Sequence, residues 1–377
     1  GEKMPTPPLS DHLAREALEA FKKSGNKPMA AKELGLDRKT FEHRLQKAYE
    51  RNMHIDPAIL DAMGAAGTNM VPKLAWAKTK SEDGTSYSVL LKPEDLGEDV
   101  LARIRDAFEG MEALPPVAPP KYRAKDLLTL YPIADAHIGM MAWARETGEA
   151  YDTRKATERL QSWLGACIEA APPSEQAVIL DVGDLTHADD QTNQTPASKH
   201  PLDVDTRHFR TLDLTVAALA AGVELALRKH KAVEVRILPG NHNPMSYMAV
   251  LFALAERFRD NPRIKVHKEP GEFWCYRFGN TLIAAHHGDK AKAERMVLFL
   301  ADEHAELWGQ TRHRYLWTGH LHHHKSADIG GVQWEQLRAL TARDAYAVSH
   351  AYTARAQLQA VTYHRERGEV SRVKVAA

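Results

Sequence analysis

Ala177-Val178-Ile179-Leu180-Asp181-Val182 runs directly into Gly183-Asp184-Leu185-Thr186-His187. The first six residues form a short apolar run, the pattern of a strand buried inside a sheet. The next five set a glycine, a carboxylate and an imidazole at the point where that strand must end. The construction recurs along the chain. Residues 127–134 read as a strand that ends in Asp135-Ala136-His137. Residues 233–238 lead into Pro239-Gly240-Asn241-His242-Asn243, and 282–285 into His286-His287-Gly288-Asp289. Gly319-His320-Leu321-His322 follows later. Between these runs, 153–171, 207–230 and 245–260 carry the longer amphipathic spacing of helices. Strand–helix alternation predicts an α/β domain. Ligands of open α/β sheets bind beyond the carboxyl ends of the strands, so the five clusters are expected to converge.

The residue types state the chemistry. Asp, Asn and neutral His, without a thiolate, make an oxygen and nitrogen site suited to manganese, iron or zinc. There are too many donors for one tetrahedral ion. Two ions sharing a bridging carboxylate would use them all, and such a pair clamps both oxygens of a phosphoryl displacement. Gly183, Gly240 and Gly319 precede Asp184, Asn241 and His320, where a backbone must turn sharply and come close to a ligand. A single Asp-x-His or His-x-His is weak, because a lone histidine is usually a satisfied surface or core residue. Five clusters in order, each behind a strand or turn, are not explained that way.

Composition sets the frame. The chain has 377 residues, 44% apolar and 27% charged, which is globular and long enough for two domains. Fifty basic and fifty acidic residues cancel, so charge alone does not point to nucleic acid. Of the 20 histidines, 17 lie after residue 126. Two cysteines cannot build a disulfide framework. No apolar stretch is long enough to span a membrane, and Gly1–Pro8 lacks the apolar core of a secretory signal. A reduced, cytoplasmic location without a membrane partner is expected.

The clearest boundary is Leu114-Pro115-Pro116-Val117-Ala118-Pro119-Pro120, a stiff spacer. The expected organisation is a helical domain over 1–56, a connecting region over 57–112, a Pro-rich linker over 113–125 and the α/β domain over 126–377. The connecting region reads as a hairpin over 76–91, turning at Glu82-Asp83-Gly84, then a helix over 94–109.

The order Asp-x-His, Gly-Asp-x-x-His, Gly-Asn-His, His-Gly, Gly-His-x-His resembles the calcineurin-like metallophosphoesterase family over about residues 127–324. The resemblance implies a β-sandwich flanked by helices, in four layers (αββα), and two divalent ions. Manganese is the first choice, with iron, zinc and magnesium as alternatives. It implies that Asp135, His137 and His322 hold one ion, and that Asn241, His320 and one of His286 or His287 hold the other. Asp184 would bridge them. His287 is preferred, because the family's ligand usually directly precedes Gly. A metal-bridging hydroxide would be the nucleophile and His242 the general acid. His187 resembles the repair-nuclease branch, where it would act as a second acid or phosphate contact, or else only orient His242. Asn243 stands where the family more often has Asp or Glu, which weakens any supporting role there. Arg207, and Arg312 to Arg314, are charged groups near the motifs that could bind phosphate, with Arg207 the candidate retained.

Residues 30–45 read as helix, tight turn, helix, with Gly35 in the turn and Asp37 as the second helix's N-cap. This resembles the helix-turn-helix family of DNA-binding domains. The second helix carries five basic residues against two acids. Lys39, Thr40, His43 and Arg44 would face the groove. A helix-turn-helix joined to a phosphoesterase also resembles proteins encoded by bacteriophages and prophages. The expected activity is therefore two-metal hydrolysis of phosphodiester bonds in DNA, with DNA and a second copy of the chain as partners. The alternative is a phosphatase or cyclic-nucleotide phosphodiesterase whose N-terminal unit mediates assembly.

Overall fold

The computed structural model describes residues 9–55, 75–80, 86–91, 118–121 and 124–377. The expected hairpin turn at 82–84, the helix over 94–109 and most of the Pro-rich linker lie outside the described residues. The chain divides into two compact units, residues 1–101 and 102–377.

In the first unit, helices α1 (Asp11–Ser24), α2 (Lys27–Glu33) and α3 (Arg38–Glu50) share one small core. Ala14, Ala17, Leu18, Ala30, Ala31, Phe41, Leu45 and Ala48 are buried in it. Each helix starts on a side-chain cap. Ser10 accepts from the Leu13 N–H, Asn26 from Met29 and Asp37 from Thr40. Gly35 has φ +64, the left-handed conformation that the α2–α3 turn requires. Strands β1 (Ala75–Lys80) and β2 (Ser86–Leu91) pair antiparallel in the same unit.

The second unit contains two sheets. One has the order β13-β12-β3-β4-β5-β6 and the other β10-β11-β9-β8-β7. Its centre is β3 (Ala124–Ile133), β4 (Ser174–Asp181) and β5 (Ala232–Ile237), all parallel. Helices α4 (Thr153–Ala170), α5 (His208–Lys229) and α6 (Tyr247–Arg257) fall between and after them. The short β6 (Ile264–Val266) closes one edge. The second sheet is built from β7 (Trp274–Phe278), β8 (Thr281–Ala285), β9 (His313–Thr318), β10 (Lys325–Ile329) and β11 (Val332–Gln336), with α7 (Ala293–Glu303) after β8. Strands β12 (Gln357–His364) and β13 (Gly368–Ala376) return to the first sheet, β12 antiparallel to β3 and β13 antiparallel to β12.

Alternation along the strands builds the layers. Leu128, Leu130, Val178 and Leu180 face the second sheet and pack with Trp274, Ile283, Ala285 and Trp317. Their sequence neighbours Tyr131, Ile133, Ala177 and Ile179 face the other way, among residues of α4, α5 and α6. On the far face of the second sheet, Ala284, Leu316 and Trp334 pack against Met296, Val297 and Leu300 of α7. The result is helix, sheet, sheet, helix. It leaves the carboxyl ends of β3, β4, β5, β8 and β9 at a common edge. No helix among the described residues is long and apolar enough to cross a membrane.

Candidate metal centre

The loops at that edge are strained in a regular way. Among the described residues nine non-glycine positions have positive φ, and five of them are Asp135, His137, Asp184, His320 and His322. Each such backbone costs about 1–3 kcal/mol and survives only where the surroundings over-determine it. Here the loops hold one another. The Asp135 N–H donates to the Gly183 carbonyl (3.2 Å), His137 to Asp184 (3.0 Å) and Gly319 to His287 (2.9 Å). The His320 N–H points at both Asp135 carboxylate oxygens, each 3.0 Å away.

Two groups of donors form around the carboxylates, and a third brings His137, His187 and His242 together. In the first, His137 Nε2 and His322 Nε2 are 3.2 Å apart, and His322 Nε2 is 3.5 Å from Asp135 Oδ1. In the second, His287 Nε2 is 3.2 Å from Asp184 Oδ2 and 3.0 Å from Asn241 Oδ1. His320 joins this group, with donor atoms of Asp184, His287 and His320 all within 4.8 Å of one another. Donors about 2.1 Å from one ion at tetrahedral or octahedral angles stand about 3.0–3.4 Å apart, so both groups have the size of a metal shell. Asp184 Oδ2 is also 3.9 Å from His137 Nε2 and therefore lies between the groups. The oxygen and nitrogen donor set suits borderline or hard divalent ions.

Close approach explains the glycines. A Cβ on Gly240 would lie 2.1 Å from Asp184 Oδ1, and one on Gly319 2.7 Å from Asp135 Oδ2. Gly183, at φ +107, passes under the His287 ring, where a Cβ would lie 2.5 Å from Nδ1. Asn243 corrects the sequence expectation of a weakened role. It is fully buried, and its side-chain carbonyl accepts from both the Asp184 N–H (3.2 Å) and the Gly240 N–H (3.1 Å). Tying two backbone donors together needs an acceptor, not a charge.

The histidines differ by environment. Burial, with the His242 ring beside it, holds the His137 pKa well below the ordinary value, so the imidazole is in its ligating form. Burial and His242 likewise push His187 down to about 3. For His287 burial also opposes charge, but the Asp184 carboxylate outweighs it and carries the pKa up to about 10. Burial works against the Asp184 carboxylate in turn, and His287 and His242 more than offset it, holding its pKa well below the usual range. Asp181, at the end of β4, is the opposite case. Burial, with Asp135 and Asp184 nearby, raises it well above the usual range, and neither carboxyl oxygen has a hydrogen-bond partner among the described residues. A neutral acid is the cheaper species to bury there.

His242 stands beside the donors. Its N–H donates to Asp184 Oδ1 (2.8 Å), and its ring Nδ1 lies 2.8 Å from the His187 carbonyl. A carbonyl can only accept, so Nδ1 carries the proton and Nε2 is the nitrogen left without that partner. The His187 ring stacks on His242 at 5.3 Å, and its Nδ1 is 3.1 Å from that of His137. His286 is separate from the donors. It packs on Phe273, and its Nδ1 accepts from the Gly288 N–H. Arg207 is exposed just before α5 and makes none of the contacts that link the donors. Arg312 to Arg314 lie at the start of β9, the end of the strand away from the site, and Arg314 donates to the Trp308 and Thr311 carbonyls. In the N-terminal unit Lys39, Thr40 and His43 are exposed, whereas Arg44 is mostly covered and pairs with Glu16 at 3.6 Å.

No protein-family model and no curated protein matches the chain. Among solved structures, 67% of the chain aligns with the whole of a Streptococcus pneumoniae protein described as a predicted phosphoesterase, at 10% identity and a TM-score of 0.29. An archaeal phosphodiesterase aligns over 66% of this chain and 99% of its own, at 8% identity and a TM-score of 0.34. Zinc-bound Vps29 from Entamoeba histolytica aligns over 66% and 98%, at 14% identity and a TM-score of 0.27.

The His287 pKa gives a direct prediction. Its folded value, about 10, means the ring is protonated at neutral pH and must lose that proton to ligate. Loading with manganese should therefore release protons into weakly buffered solution at pH 7. Affinity measured by calorimetry should rise as pH increases from 7 towards 10. Loading without proton release would contradict the assignment of His287 as a donor.

Proposed function

We propose that the 102–377 unit is a two-metal phosphoester hydrolase acting on phosphodiester bonds in DNA. The observation that carries this is the position of the Asp184 carboxylate between two complete donor groups. Two divalent ions held there, manganese before iron, zinc or magnesium, would neutralise phosphoryl charge and acidify a water. Asp135, His137 and His322 would hold one ion, Asn241, His287 and His320 the other, and Asp184 both. The strained loops keep these side chains in place before substrate arrives.

His242 is read as the general acid. Its Nδ1 proton is committed to the His187 carbonyl, so in the doubly protonated ring it is the Nε2 proton that would pass to the leaving oxygen, returning the ring to its neutral form. His187, held neutral and stacked on His242, is read as the residue that positions it. Asp181, neutral and buried behind the site, adds no further negative charge to the donors.

DNA as substrate is supported by the first unit. Helix α3 follows α2 through a glycine turn and presents Lys39, Thr40 and His43 to solvent, the arrangement of a helix that enters a major groove. Arg44 would reach a phosphate only by leaving Glu16. One observation favours a second reading. Arg38, Lys47 and Arg51 also have acidic partners, Glu42, Glu50 and Asp11. An α3 surface neutralised by its own unit suits assembly with a second copy of the chain, and the enzyme would then be a phosphatase or cyclic-nucleotide phosphodiesterase.

Replacing His242 with Ala should leave the metal content intact and lower the rate by about 10²–10⁴, the span of general acid–base catalysis. A nitrophenyl ester, whose leaving oxygen needs no proton, should suffer less than a natural diester. Loss of metal in His242→Ala would mean the ring is a ligand instead. For the N-terminal unit, the Lys39→Ala/His43→Ala variant of the full chain should bind duplex DNA more weakly at low salt. Its salt dependence should be shallower by about one phosphate contact per removed charge. Unchanged affinity in that variant would favour the assembly reading.

A further inference from the structure

On segments that leave the donor loops stand exposed rings that neither metal ligation nor the core accounts for. Trp143, Tyr346 and Tyr352 are 57%, 50% and 53% exposed. Rings of this size are normally buried or held against a partner. Trp143 lies six residues past His137, on the loop that leaves the site, and the Arg145 guanidinium sits 5.3 Å from its ring centroid. Tyr346 and Tyr352 lie on the segment that follows β11, which is fastened to the donor loops. The Ala339 N–H donates to the His322 carbonyl (3.5 Å) and that of Thr341 to the Asp135 carbonyl (3.2 Å). Arg343 then ties the two segments together, donating to the carbonyls of Thr147 (3.3 Å) and Tyr352 (3.4 Å). Asp344 caps the single helical turn that carries Tyr346.

Along this segment the rings are continuous. The exposed His200, from the loop after β4, meets Tyr346 edge-on at 5.6 Å. Tyr346 lies 4.1 Å from His350 at an interplanar angle of 30°, and His350 lies 5.8 Å from Tyr352. Four rings from His200 to Tyr352 are therefore linked in a row. Its charges are few, and Arg343 is already occupied by carbonyls, so it is poorly suited to gripping a phosphate backbone. It is suited to flat apolar faces.

We infer that these rings form a stacking platform for the bases of a single-stranded DNA segment whose scissile phosphate lies at the donor groups. This rests on the hydrolase reading above and specifies its substrate. A duplex hides base faces within its own stack, whereas unpaired bases offer them to aromatic side chains whatever the sequence. The platform would hold the strand by its bases on one side of the site while the ions take the phosphate.

The test compares fluorescein-labelled dT8 with an abasic octamer of the same backbone, bound to the full chain in EDTA so that nothing is cleaved. The wild type should bind dT8 about ten- to a hundredfold more tightly than the abasic strand, the range for one or two stacked bases. Trp143→Ala/Tyr346→Ala should lose that preference, and Trp143→Phe/Tyr346→Phe should keep most of it. Equal binding of dT8 and the abasic strand by the wild type would overturn the platform, whether or not the Ala variant folds. So would an unchanged preference in a folded Ala variant. Turnover of bis(nitrophenyl) phosphate by the manganese-loaded wild type is scored separately. Its absence would count against the hydrolase reading, while the base preference is decided by binding alone.

Discussion

Asp184 buries a carboxylate at a position where one oxygen faces both donor groups and the other accepts the His242 N–H. A charge with so little water around it needs compensation from every side. His287 provides it from β8, His137 from β3 and the His242 backbone from β5. Gly240 has no side chain because Asp184 Oδ1 occupies the space a Cβ would need. Asn243 keeps the Asp184 backbone in place with an acceptor aimed at its N–H. Elements distant in sequence are therefore fixed relative to one another by a single carboxylate.

The layered core makes that constraint affordable. Parallel β3, β4 and β5 are buried on both faces, so their carboxyl ends cannot shift without disturbing two clusters of packed side chains. Five donor residues accept left-handed backbone conformations at that edge. The strain is borne by loops whose ends are rigid, and in return the imidazoles and carboxylates need no rearrangement to meet a cation. This is the ordinary logic of a preorganised site.

Much of this was legible in the sequence because the parallel strands are continuous apolar runs and each ends on a glycine or a donor. Alternation then decides the sandwich. The other strands were harder to read. β10 is largely exposed, and along β13 exposed and partly covered positions are mixed with charges, so neither carries an apolar run. At the site, His287 is distinguished from His286 by contacts that sequence can suggest only through the following glycine. The role of Asn243 depends on accepting hydrogen bonds, which residue charge does not report. Asp181 sits inside an apolar run and gave no signal of its own. Arg44 reads as a groove-facing cation until α1 is packed beside it and supplies Glu16. The exposed rings of Trp143, His200 and Tyr346 to Tyr352 come from three separate segments, which no local pattern encodes.

The central claim is that one carboxylate joins two ions. Electron paramagnetic resonance of the chain titrated with manganese(II) tests it most directly. Two ions about 3.5–4 Å apart should be exchange-coupled. The wild type should therefore give the coupled multiline spectrum as a second equivalent binds, and Asp184→Asn should lose it. A spectrum of isolated manganese at one equivalent per chain, unchanged by further metal, would contradict the account.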